Sequence, residues 1–345
     1  MSRFPLTPGR RWLVATAIGI ASAAITIARF TKYPDRPLDF LQIWFGAGAM
    51  LRGRNPYDLI GPGLEFDFPW RLFYPATALV AAMPISLLPA MVAIALFVAA
   101  SGTLLAYAVT RTGWHRLWLF CSLPYVVAIL VAQWSPMLTA ALLLPPLAVL
   151  FAAKPNLGLA FIASTDSRGV QRYAIAGGIL LTTISLAFNP TWPSDWLHWL
   201  SEGSQQPAIT RLGGPLILLA LLRWRRPEAR LVVALACVPQ YAYWYEVVPL
   251  MLVPATRVET MAFSLVTSMG WIVEHMLVSP PTEAAINRQV GALMVFFAYL
   301  PAVAIVLRRS NEGAMAPWQQ SAERLIARAF AGIRRSSGDR RLGRR

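Results

Sequence analysis

The chain has 345 residues, 57% of them hydrophobic and 14% charged, with a mean hydropathy of +0.52. An ordinary soluble domain carries about 25% charged residues, so this composition excludes one and predicts an all-α polytopic integral membrane protein. At roughly 20 apolar residues per span, almost no chain is left over for a separate soluble catalytic domain. The formal charge of +15 comes from 29 Arg and 2 Lys against 16 acids. Cys121 and Cys237, both inside apolar runs, are too few for a disulfide framework or a four-cysteine zinc site.

Residues 12–30 form one continuous apolar run preceded by Arg3, Arg10 and Arg11, and the positive-inside rule assigns that end to the cytoplasm. The run is long and lacks a small-residue cleavage site, so it reads as a retained anchor and not a cleaved signal peptide. The polar stretch 31–73 balances five bases against five acids, which suits the outer face. Within it Phe40, Ile43, Trp44, Ala47, Met50 and Leu51 recur at helical spacing, with Gln42, Gly46 and Arg52 elsewhere. That pattern predicts an amphipathic helix lying in the interface, with Asp39 as its N-cap.

Further apolar segments between 75 and 307 bring the expected total to ten to twelve transmembrane or re-entrant helices. Pro84, Pro124, Pro145, Pro146, Pro239 and Pro249 interrupt them, so several should be kinked, tilted or re-entrant. A count of twelve leaves both termini in the cytoplasm, together with Arg223, Arg225, Arg226 and Arg230, and puts only Arg111 and Arg116 on the disfavoured side. Residues 1–307 thus read as a single membrane-embedded domain and 308–345 as a basic cytoplasmic tail. The tail carries ten Arg against Glu312, Glu323 and Asp339, with Leu325, Ile326, Phe330 and Ile333 among them. It fits a surface helix drawn to anionic membrane lipids better than a nucleic-acid site. Neither an internal repeat nor a nucleotide-binding glycine loop is visible.

A charge in hydrocarbon costs at least ~2.5 kcal/mol, so polar groups bordering the apolar segments need a partner or a purpose. Four places stand out. The outer loop offers Asp39, Arg52, Arg54, Asn55, Tyr57, Asp58 and Tyr74, although Asn55-Pro56-Tyr57-Asp58 is also what a plain turn would contain. Lys154 could either snorkel to a headgroup or hold a phosphate as a point charge. Gln133-Trp134-Ser135-Pro136 interrupts two spans, where an interhelical hydrogen bond or a loop would explain it. Asp195 and His198, among Trp192, Trp196 and Trp199, combine with Tyr241 to Glu246. An interfacial aromatic belt accounts for these residues, and so does a sugar-binding surface, since a pyranose has an apolar face and a rim of hydroxyls. His115, His198 and His275 lie apart, giving no metal-ligand spacing, and there is no Gly-x-Ser-x-Gly elbow.

Asp39-Phe40, the helix leading to Arg52-Gly53-Arg54-Asn55-Pro56-Tyr57-Asp58, and Phe73-Tyr74-Pro75-Ala76 running on to Leu88-Pro89 resemble glycosyltransferase family 87. Gln133-Trp134-Ser135-Pro136 and Lys154-Pro155 match two later features of that family, which usually has a glycine where this chain has Ala132. The resemblance implies a C-type glycosyltransferase with an interfacial helix in its first outer loop. Its donor would be a polyprenyl-phosphate-linked sugar such as mannose, its acceptor a lipid or glycan on the outer face of the cell membrane. It also implies Asp39 as catalytic base, and the chemistry of such a transfer then points to Lys154 with Arg52 or Arg54 on the donor phosphate and to Asn55, Tyr57, Asp58, Tyr74, Gln133, His198, Tyr245 and Glu246 around the substrate. Single displacement would invert the anomeric centre without metal or cofactor. A transporter or lipid flippase, with Lys154, Gln133 and Glu246 lining a path, is the competing reading, and a non-catalytic assembly factor a third.

Overall fold

The structure is a computed structural model that describes residues 7–36, 38–277, 282–325 and 328; half of the basic tail, with Ile326, Phe330 and Ile333, lies outside them. Helices α1 (Pro8–Lys32), α2 (Asp39–Leu51), α3 (Ala76–Ser86), α4 (Ala90–Val109), α5 (Leu123–Leu130), α6 (Ser135–Leu143) and α7 (Pro155–Ser164) make the first half. The second half holds α8 (Arg168–Phe188), α9 (Trp192–Glu202), α10 (Pro227–Cys237), α11 (Arg257–Met276), α12 (Glu283–Met294) and α13 (Leu300–Leu307), the last two joined by a π-helical turn. Strand is confined, among the described residues, to two short pairings. Ile60–Gly61 runs parallel to Phe66–Asp67, and Gln206–Pro207 antiparallel to Pro239–Gln240.

Among the described residues four helices are long and apolar enough to cross a membrane: α1, α4, α8 and the stretch Ala284–Leu307. A fifth span results if α5 and α6, bent by 116° to each other, count as one. Of the other apolar runs that promised ten to twelve spans, four are 3-10 segments, Trp114–Cys121, Pro145–Ala153, Gly214–Arg223 and Trp244–Leu252, several are short helices, and α11, though 20 residues long, is not among the apolar spans. Proline explains part of this: Pro249 falls inside Trp244–Leu252, where it removes a backbone donor, while Pro145 and Pro215 stand at the starts of their runs, where a missing donor costs nothing. Apolar side chains such as Leu13, Ile179, Leu222 and Leu265 remain outward-facing, as hydrocarbon solvent allows and water would not.

α1 and α4 pack closely and antiparallel. A Cβ on Gly19 would meet Thr103 Oγ1 at 2.0 Å, so only glycine permits this approach. Ser22 Oγ and Tyr125 OH share a hydrogen bond of 2.8 Å, and Thr26 donates to the Ile129 carbonyl at 2.8 Å, binding α5 to the same helix.

Arg11, near the start of α1, donates to Thr110 Oγ1 at 3.3 Å and to the Tyr107 carbonyl at the end of α4. The two helices therefore share this end, and Arg111 falls beside Arg11 instead of opposite it. The expected exception to the positive-inside pattern disappears, because α3 is eleven residues, about 16 Å, and cannot cross a bilayer core of about 30 Å alone. Arg116 joins the same end, donating to the Leu252 carbonyl at 3.2 Å and lying within electrostatic reach of Glu228, Glu259 and Arg309. Arg223, Arg225, Arg226 and Arg230 bond there to residues 307–314 or their neighbours. The opposite end carries the loop after α1, the start of α2 and the cavity described next.

Candidate functional site

Asp39 is the first residue of α2, yet it is not the expected cap: Leu38 occupies that position, and no side chain caps the helix. The Asp39 amide donates to the Val131 carbonyl at 3.0 Å, which ties the start of α2 to the break between α5 and α6. The carboxylate, favourably placed at a helix N-terminus, accepts from Gln133 Nε2. Between Val131 and Gln133, Ala132 is buried with a φ of 52°, a left-handed conformation that L-residues other than glycine adopt at a cost. The strained residue turns the chain so that Gln133 faces Asp39.

Gln133 Oε1 accepts from Tyr74 OH at 3.1 Å and from Lys154 Nζ at 3.4 Å. Lys154 sits at the joint between the 3-10 segment Pro145–Ala153 and α7, and it forms an ion pair with Glu246 Oε1 at 2.5 Å. Its ammonium also lies 5.0 Å from the centre of the Tyr245 ring. A continuous polar chain thus runs Asp39, Gln133, Lys154, Glu246, assembled from four segments far apart in sequence.

Asp39, Gln42, Lys154 and Glu246 line a cavity of about 550 Å³, with aromatic walls from Trp70, Phe73, Tyr74, Trp196 and Tyr245. The β pairing of Gln206–Pro207 with Pro239–Gln240 draws two distant segments together, so Gln205 and Pro239 meet at the same cavity. Trp196 is fixed by donating from Nε1 to the Phe73 carbonyl at 2.9 Å. Leu159 of α7 also lines the cavity while 62% exposed on an apolar helix, so the cavity reaches the apolar outside of that helix. Burial raises the Asp39 carboxyl from its ordinary value to about 6, against the lowering influence of the Gln133 hydrogen bond and of Lys154. Burial likewise pushes the Tyr74 hydroxyl well above its usual range, keeping it a donor.

Several expected site residues lie elsewhere. Arg52 is exposed at the far end of α2, and Arg54 is paired with Glu65 on the surface, so neither reaches the cavity. Asn55 caps a turn, accepting from the Tyr57 amide at 3.2 Å and from Asn189 Nδ2 at 2.9 Å while donating to Asp58 and Asp195. Tyr57 is fully buried and donates to the Tyr74 carbonyl at 2.9 Å, so it supports a site residue without lining the cavity. His198 is exposed, 3.9 Å from Glu202. Conversely Gln42, read as part of a wet helix face, is 1% exposed and lines the cavity. Trp70 was given no role by its sequence context, while Trp196 and Tyr241 to Tyr243 were legible only as aromatics of an interface or a sugar surface. Among the described residues no group of three or more His, Cys, Asp or Glu is placed to hold a metal ion.

No family model matches the chain, and no curated protein or solved structure does.

Proposed function

We propose that the chain is a membrane glycosyltransferase, related in fold to the C-type enzymes. It would pass a neutral sugar such as mannose from a polyprenyl-phosphate carrier to a lipid or glycan acceptor at the outer face of the cell membrane. The observation that carries this reading is Asp39, a carboxylate of raised basicity, in one cavity with Lys154 and joined to it through Gln133. In the proposed transfer Asp39 takes the proton of the acceptor hydroxyl as its oxygen attacks the anomeric carbon. The bond from that carbon to the phosphate oxygen breaks, and the phosphate leaves with the electron pair. A base whose acidity lies near the working pH suits this step.

Lys154 is the one cation among the described residues that line the cavity, and after Glu246 and Gln133 its ammonium has a third hydrogen to offer a departing phosphate. The exposed apolar edge of the cavity at Leu159 suits a donor whose chain stays in hydrocarbon while its headgroup reaches water. The arginine-rich end lies opposite the cavity, so the positive-inside rule supports an outer-face site with the N-terminus in the cytoplasm.

Purified protein incubated with a panel of polyprenyl-phosphate sugars should release polyprenyl phosphate and yield a glycosylated acceptor, both read by mass spectrometry. Asp39→Asn should abolish product, and Lys154→Ala should raise the KM for donor in the protein that remains folded after losing the ion pair with Glu246. Movement of lipid or solute across a vesicle membrane with no covalent product would overturn the enzyme reading in favour of a transporter.

A further inference from the structure

Two side chains that line the cavity each carry a buried oxygen with nothing to accept. Gln42 Oε1 and Glu246 Oε2 are buried without a hydrogen-bond partner, on side chains 1% and 3% exposed that both line the cavity. Buried acceptors are almost always satisfied, and one left open costs stability in the empty fold. Glu246 cannot relieve the deficit by turning, because its other oxygen is held by Lys154, which in turn bonds to Gln133. Gln42 lies three residues after Asp39 on α2, and this spacing puts the two on one helix face.

From these observations we propose that Gln42 and Glu246 read the hydroxyls of the transferred sugar, each accepting a hydrogen bond from one of them. The assignment rests on the glycosyl-transfer reading and deepens it. Both open atoms are acceptors, so their complement must bring hydrogens. Hydroxyls do, whereas a phosphate or a carboxylate does not. Glu246 is itself a carboxylate, so a sugar that sets a carboxylate of its own against the unpaired Glu246 oxygen meets repulsion there. Trp196 and Tyr245 supply flat apolar surface for the ring. A site that hydrogen-bonds a hydroxyl discriminates strongly against the analogue that lacks it, because its own buried acceptor is then stranded again.

The test uses the full-length protein in lipid nanodiscs. Quenching of tryptophan fluorescence, to which Trp70 and Trp196 contribute from the cavity wall, reports binding of methyl hexosides, their monodeoxy analogues, the matching uronate and the matching amino sugar. Transfer from the polyprenyl-phosphate hexose is measured in parallel. The wild type should bind the parent at least about tenfold more tightly than two of the deoxy analogues, and should reject the uronate. Gln42→Met should erase the preference at one of those two positions and raise KM more than it lowers kcat. Glu246→Gln should erase it at the other and admit the uronate. Glu246→Gln leaves Lys154 beside a neutral amide and can fail to fold; Gln42→Met alters no charge and keeps the test decisive.

Continued transfer with undiminished discrimination in Gln42→Met overturns the assignment while leaving glycosyl transfer intact. Binding of the amino sugar in preference to the parent overturns it in favour of an ammonium ligand. Hexoside binding with the expected discrimination but no transfer from any carrier sustains the pair and refutes the enzyme reading. A wild type that neither binds hexosides nor transfers them refutes both.

Discussion

At the scale of single residues, the acidity of Asp39 sets both activity and stability. Burial raises its carboxyl to about 6, so the ionised form is less favourable in the fold than in the unfolded chain. That penalty is fully present well above pH 6, shrinks as the pH falls through about 6, and has vanished below the ordinary value of 3.8. Transfer needs the ionised form and moves the other way, so kcat/KM should fall about tenfold per unit below pH 6. Asp39→Asn should therefore lose transfer yet melt at the same temperature as the wild type or higher at pH 8, as read by thermal denaturation. Loss of folding in that variant would make the carboxylate structural.

Ala132 invites the opposite experiment. A left-handed alanine costs about 1 kcal/mol or more, part of which glycine returns as extra freedom in the unfolded chain. Ala132→Gly should gain up to about 1 kcal/mol of stability and keep activity. Ala132→Val should lose both, since a branched side chain fits that conformation worst.

At the scale of elements, arginine holds together the end opposite the cavity. Arg230 is 1% exposed and donates to four carbonyls, those of Ser164, Trp224, Arg225 and Ala314, at 2.8 to 3.1 Å. Those carbonyls sit at or beyond helix and 3-10 ends, where the chain has no partner of its own to offer. Arg230→Met would strand several of them, so a loss of roughly 2–4 kcal/mol is expected from the usual cost of buried unpaired groups. Denaturation in mild detergent should read this loss without any change in the KM of the remaining folded fraction.

Helix geometry also explains why one part of the site was legible in sequence and another was not. Asp39, Tyr74, Gln133, Lys154 and Glu246 stood out as polar groups at the borders of apolar runs, and they do meet. Arg52 and Arg54 stood out for the same reason and do not. α2 spans thirteen residues at 1.5 Å each, so its end lies about 20 Å from Asp39. Gln42 was misplaced because periodicity separates apolar from polar residues, and α2 is buried on both of the faces so defined.

For the molecule as a whole, composition alone gave the helical, membrane-spanning class, because so few charges leave no other solvent for the surface. The number of full spans was not legible in the same way. Hydropathy registers that residues 145–153 or 244–252 are apolar, but the path they take is set by proline, by 3-10 winding and by neighbours distant in sequence. Orientation is a whole-molecule property with its own test. On a background in which the free, exposed Cys121 and Cys237 are replaced by alanine, Asp67→Cys should react with an impermeant maleimide applied from outside the cell. Glu312→Cys should react only after the membrane is opened. The reverse pattern would put the cavity in the cytoplasm.

The exposed edge of the cavity at Leu159 has a kinetic corollary. A molecule that slips into the cavity between helices, without leaving the oily layer, arrives by diffusion in two dimensions, and its effective concentration is the mole fraction among its neighbouring lipids. Diluting the sample with buffer would then leave the turnover of each protein unchanged, while diluting the membrane with inert lipid would slow it.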